Sequence, residues 1–160
     1  MIRPPRSDER DAILALAGAT GLFEPQELDV LGDTLAEYFD AGAGAGPSWL
    51  VLDDGNRLVA TAYYAPEPMT EGTWNLYFIG VHPDHQGQGR GRALLGHVER
   101  DLAKRGQRLL IVETSGLPDF ARTRDFYHKC GYTEEARIRG FYRAGDDKVV
   151  FCKSLNAASL

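Results

Sequence analysis

The stretch VHPDHQGQGRGRALL, residues 81–95, sets Gln86, Gly87, Gly89 and Gly91 between a strand-like apolar run and a helix pattern. A strand that stops, a run of small residues and a helix that starts leave backbone N–H groups free to face an anion, and the helix dipole favours the negative charge. Glycines let phosphate oxygens approach the backbone closely. A lone glycine cluster is more often a plain turn, but the strand before it and the helix after it favour the phosphate reading here. A G-x-G-x-x-G dinucleotide fingerprint needs glycine or alanine at its sixth position, which is Arg92 counted from Gly87 and Leu94 counted from Gly89. The G-K-[ST] ending of a nucleotide-triphosphate loop is also absent. His82 and His85 lie in the same stretch, yet a proline-bearing turn with no third ligand nearby is a poor metal site.

Two further side chains could do chemistry. Glu113 follows the apolar run of RLLIVET, at the C-terminal end of a strand, where an open parallel sheet presents its ligands. It serves either as a base or as an acceptor for N–H groups of the next turn, and the residues leave both readings open. Glu71 and Glu24, on loops, are weaker candidates for the base. Tyr127 stands in RDFYHKCGY and, read alone, is a core aromatic on an amphipathic helix.

Regular elements must position these groups. After a short irregular start, Ser7 caps an expected helix over 7–18, and Pro25 opens a second, with Leu28, Leu31, Leu35, Tyr38 and Phe39 at helical spacing. AGAGAGP, residues 41–47, reads as a flexible connection. Strands over 49–52 and 58–65 flank DDGN, which is hairpin chemistry, and a third runs over 73–81. Beyond the glycine loop, Ala93, Leu94, Leu95, Val98 and Leu102 mark one face of a helix ending near Gly106, and RLLIVET follows as a buried strand. Such a strand–helix–strand unit crosses over right-handed and sets two parallel strands side by side. A helix over 120–130, stopped by Gly131, and a hairpin of 132–142 with 148–155 complete the chain.

The 160 residues read as a single domain, 1–160, with 43% apolar and 26% charged composition typical of globular proteins. Eighteen basic against 23 acidic residues leave a net charge of −5, which disfavours a nucleic acid or an anionic membrane as the main partner. Cys130 and Cys152 stand singly, without zinc or disulfide spacing, and MIRPPRSDER has no apolar signal core. No stretch approaches the roughly 18 apolar residues of a membrane span. A reduced, cytoplasmic setting is the expectation.

At Gln86, Gly89 and Gly91 the sequence resembles the GNAT superfamily of N-acetyltransferases, whose coenzyme A loop reads [QR]-x-x-G-x-[GA]. VHPDHQ before the loop, ALL after it, and RDFYHKCGY beside the family's FYEKLGF extend the resemblance, and the element order agrees over nearly the whole chain. The resemblance implies an α/β (α+β) acyl-CoA N-acyltransferase fold: a central mixed, mostly antiparallel sheet with one parallel pair splayed apart, flanked by helices. It implies acetyl-CoA as co-substrate. Backbone N–H groups from about Gly87 to Arg92, by way of Gln88, Gly89, Arg90 and Gly91, would hold the pyrophosphate, with Gln86 in the same coenzyme-binding set, and the strand carrying Ile79 and Val81 would meet the pantetheine arm. The oxyanion contact falls to the N–H of Val81. Tyr127 matches the tyrosine that in many members protonates the departing sulfur, and some members acting on protein N-termini carry a glutamate on the strand of Glu113.

Many members also place an asparagine and an alanine ahead of the FY pair, where this chain has Phe120 and Thr123, so it lacks the side chain that makes that asparagine's pantetheine contact. Arg124 and Lys129 are candidates for the coenzyme's phosphates or are simply a solvated helix face. The function implied is acetyl transfer to a primary amine of a small molecule or an amino acid, with no nucleic acid or membrane involved and a homodimer compatible. A protein N-terminus is the alternative acceptor, and a non-catalytic acyl-CoA sensor or scaffold the alternative outside enzymes. The acceptor would meet TGLFEPQE and RGFYRAGDDK, where Phe23, Phe141 and Tyr142 with Glu24, Asp146 and Asp147 suit a small cationic amine or are turn chemistry.

Overall fold

The computed structural model describes residues 1–156. Its strands are β1 (Ile2–Arg3), β2 (Ser48–Asp53), β3 (Leu58–Pro66), β4 (Thr73–Val81), β5 (Leu109–Ser115), β6 (Thr133–Arg143) and β7 (Asp146–Ser154). Its helices are α1 (Arg10–Ala19), α2 (Pro25–Ala41), α3 (Arg90–Lys104) and α4 (Ala121–Lys129). The strands form one mixed sheet in the order β1-β2-β3-β4-β5-β7-β6, with β4 and β5 parallel and the other registered pairs antiparallel. This is the α/β arrangement implied by the resemblance. Chain contacts divide into two compact units, one of residues 1–65 with 78–98, the other of 66–77 with the residues from 99 onward.

In the first unit, α1 and α2 bury one stripe each. Ile13, Ala17, Leu31 and Leu35 cluster with Trp49 and Val51 of β2 and Phe78 of β4, and Phe23 sets its ring edge on Phe78 at 4.8 Å. Phe23, partly buried, thus packs against this cluster. The start of the chain is more ordered than its sequence suggests, because Ile2 and Arg3 pair with Leu52 and Val51. Arg3 reaches Glu9 at 2.7 Å and Asp53 at 2.8 Å, and Glu9 also accepts the Arg6 N–H at 2.7 Å. Ser7 does not cap a helix as expected. It opens a 3-10 turn, Ser7–Glu9, ahead of α1, and the Glu9 carboxylate meets the chain's N–H instead. At α2 the cap falls to Glu24, whose own N–H donates to Glu27 at 2.6 Å.

In the second unit, β5 pairs along its length with β7, from Leu109↔Ser154 to Ser115↔Lys148. Its parallel ladder with β4 covers Thr73–Asn75 against Leu109–Ile111, while β5 runs on to Ser115 and β4 to Val81. The β6–β7 hairpin is irregular. Ile138 pairs with Lys148 and Arg143 with Asp146, so residues 139–142 face Asp147 alone. Gly140 takes φ +64° within this bulge, a backbone state that other residues adopt at a cost. Helix α3 buries Leu94, Leu95, Val98 and Leu102, as its spacing predicts, but leaves Ala93 exposed.

Candidate active site

The glycine loop lies in the first unit, between β4 and α3. Gly87 and Gly89 both take positive φ, +73° and +75°, and a Cβ added at either would meet nothing within 4 Å. Backbone conformation, not crowding, therefore requires glycine there, and open space surrounds the loop backbone. Gly91 lies inside the first turn of α3, where N–H groups have no intrahelical acceptor. The first turn's bonding begins with the Ala93 N–H donating to the Gly89 carbonyl at 3.0 Å.

Gln86 does not reach outward with its amide; its Nε2 donates to the Val81 carbonyl at 3.1 Å and ties the loop back onto β4. Gln88 is exposed and accepts from Arg90 Nε at 3.2 Å, Arg92 is exposed, and Ile79 and Val81 are half-buried. The Gln86 N–H is given to the Pro83 carbonyl at 3.4 Å, so a coenzyme pyrophosphate fits the turn beyond it, where left-handed glycines leave the backbone open ahead of the first turn of α3. Gly80, between Ile79 and Val81, has a different reason to be glycine. A Cβ there would stand 2.5 Å from Phe78 Cζ.

The histidines flanking the loop have local duties. His82 caps the 3-10 turn Pro83–His85, accepting the Asp84 N–H at 3.2 Å, and His85 Nε2 meets Arg57 at 2.8 Å. Among the described residues no group of three or more metal-binding side chains converges.

Glu113 and Tyr127 both belong to the second unit. Glu113 accepts from Lys148 Nζ at 3.0 Å, and the same ammonium lies 4.1 Å from the centre of the Phe141 ring. Registry explains the meeting. Glu113 stands opposite Val150, so Lys148 is its diagonal cross-strand neighbour, and the β6 bulge delivers Phe141. Glu113 also acts electrically on two phenols. Partial burial raises Tyr77, aided by the charges of Glu67 and Glu113, and burial raises Tyr142, aided by Glu113 and Asp146. Phe141, Tyr142 and Tyr77 are each about half exposed, at 51%, 46% and 51%, so aromatic surface open to solvent accompanies the carboxylate.

Tyr127 is 4% exposed on α4, its ring near those of Tyr132 and Phe151, both at 5.7 Å. Desolvation drives its pKa far above the ordinary phenol value, so it stays protonated through the whole working range.

Other candidates have partners within the fold. Arg124 donates to the Ser115 and Leu117 carbonyls at 2.8 and 2.9 Å and braces the turn after β5, and Lys129 pairs with Asp125 at 2.7 Å. Asp146 is buried and accepts from Ser115 Oγ, and Asp147 accepts the Gly140 N–H and pairs with Arg137. Glu71 is exposed, and its backbone carbonyl accepts from Arg108 Nε at 2.7 Å. Lys148 and Tyr77 escaped the sequence reading, because neither bears a local signal: the register of β5 with β7 brings Lys148 to Glu113, and Tyr77 meets Glu113 only through its charge.

The model of the acetyltransferase (GNAT) family matches residues 16–132. The chain belongs to the GNAT family. Among curated GNAT relatives, the ribosomal protein bS18-alanine N-acetyltransferase of Escherichia coli is 37% identical over 73 residues, 46% of this chain and 48% of that protein. The mycothiol acetyltransferase of Beutenbergia cavernae is 34% identical over 88 residues, 55% of this chain and 29% of that protein. The chain thus spans less than half the length of these curated relatives. A crystal structure of a GNAT-family protein from Desulfovibrio desulfuricans superposes with a TM-score of 0.93 at 37% identity, covering 98% of this chain and 99% of that one. Proteins of the same GNAT fold have been crystallised with coenzyme A and with acetyl-CoA.

Proposed function

We propose that the protein transfers the acetyl group of acetyl-CoA to a primary amine, with Glu113 as the base and Tyr127 as the acid. The observation that carries this reading is the Lys148 ammonium on Glu113, since the carboxylate already holds the chemical group that an acceptor would present. Family membership supports acetyl-CoA as the co-substrate, which supplies an acetyl thioester. N–H groups of residues 87–92 would bind its pyrophosphate, Ile79 and Val81 would line its pantetheine, and the Val81 N–H would meet the developing oxyanion.

An ammonium must lose a proton before it can attack, and Glu113 accepts that proton. Tyr127, held protonated by burial, donates a hydrogen bond to the departing sulfur and is never a competing base. Tyr77, Phe141 and Tyr142 offer aromatic faces to a cationic acceptor beside Glu113, which favours a small amine or an amino acid.

Steady-state thiol release tests these roles with the Tyr127→Phe and Glu113→Gln variants. Each should lose on the order of 100-fold in kcat, while calorimetric affinity for coenzyme A stays at the parent value. Unchanged turnover in Tyr127→Phe would make that residue a packing aromatic, and unchanged turnover in Glu113→Gln would move the base elsewhere.

A further inference from the structure

We propose that the protein acetylates its own Lys148. The proposal rests on the acetyl-transfer reading above and extends it to an acceptor within the chain. Four lysines are present, and their surroundings differ. Lys104 is exposed near the end of α3, and Lys129 is 73% exposed beside Asp125. Lys153 is engaged by Glu99, by the Cys130 carbonyl and by the Tyr132 ring. Lys148 alone of the four has its ammonium on Glu113, and its side chain is only 14% exposed.

The step balances without a further reagent. Glu113 takes one proton from the Lys148 ammonium, and the freed Nζ lone pair attacks the thioester carbonyl carbon of acetyl-CoA. A C–N bond forms as the C–S bond breaks, the bonding pair leaves on sulfur, and the second proton shed by the acylated nitrogen goes to that sulfur to give the free thiol of coenzyme A. Ammonium and thioester become amide and thiol, with one proton released. The amide carries no charge, so it no longer pairs with Glu113 or attracts the Phe141 ring. Acetylation would thereby clear the carboxylate and the aromatic face for an external amine.

Exposure separates this activity from uncatalysed labelling. Acetyl-CoA alone modifies accessible lysines, so Lys104 and Lys129 would label before Lys148. The full chain is incubated with isotope-labelled acetyl-CoA and no added amine, freed of reagent, and mapped by peptide mass spectrometry. Label concentrated at Lys148, lost in Glu113→Gln and absent from Lys148→Arg, is the expected result. Label spread over Lys104 and Lys129 with Lys148 unmodified would overturn the proposal, as would a Lys148 label unchanged in Glu113→Gln. The parent pattern decides even where a variant folds poorly. Thiol release on an added amine with Lys148 bare would defeat self-acetylation and leave the proposed function standing.

Discussion

Gly89 carries a requirement that can be isolated from packing. Its φ of +75° is left-handed, yet an added methyl would touch nothing, so Gly89→Ala changes backbone preference alone. The left-handed state costs a non-glycine residue about 1–2 kcal/mol, and a loop that relaxes out of it misdirects its N–H groups. Affinity for acetyl-CoA should fall about tenfold by calorimetry, with the melting temperature lowered by only about 2–8 °C; an unaltered Kd would detach the loop from the coenzyme. Glu9 makes a residue-scale case in stability. Its hydrogen bond to Arg3, opposed by burial and aided by the Arg6 N–H, holds its pKa below the ordinary carboxylate value. A depressed folded-state pKa stabilises above the unfolded value, near 4.3, and the gain is lost as pH falls through the folded value. Glu9→Gln should therefore cost about 1–3 kcal/mol at pH 7, and the gap should close on acidification in denaturant melts at stepped pH. A gap that widened in acid would contradict this assignment. Glu113 could be picked out in the sequence because a carboxylate closes an apolar strand, whereas Lys148 could not, because a diagonal pair exists only once β5 and β7 are in register.

Most element types were legible, and the exceptions have local physical causes. Periodic apolar spacing announced α2 and α3, and DDGN announced the turn between β2 and β3. Strand β1 went unseen because two residues carry no period; it is ordered by Arg3 bridging Glu9 and Asp53. The hairpin of β6 and β7 was legible, but its bulge was not, since Gly140 reads equally well as an ordinary strand glycine until its φ is known. That bulge is what carries Phe141 to Lys148. For the packing of α2, Leu35 is the direct probe, fully buried in the cluster with Trp49 and Phe78. Leu35→Ala should cost about 2–5 kcal/mol in denaturant unfolding; a loss under 1 kcal/mol would mean that the helix is not anchored through this residue.

At the scale of the whole chain, strand order was not accessible from periodicity, which is a local property, while order depends on long-range pairing. The mixed sheet came instead from the resemblance carried by Gln86, Gly89, Gly91 and the FY pair, and the order β1-β2-β3-β4-β5-β7-β6 agrees with it. Ligand binding should register in global stability. Acetyl-CoA at a hundredfold excess over its Kd should raise unfolding free energy by about 2.7 kcal/mol, while NAD, whose fingerprint fails at Arg92 and Leu94, should leave the melt unmoved. Stabilisation by NAD and not by acetyl-CoA would overturn the nucleotide assignment. The central claim, acetyl transfer to a primary amine, is tested most directly by following thiol release and N-acetyl product together, from labelled acetyl-CoA, across a panel of small amines, amino acids and short peptides. Matched amounts of thiol and labelled amide with at least one amine, both lost in Glu113→Gln, are the expected result. Tight acetyl-CoA binding with neither product from any amine would contradict it.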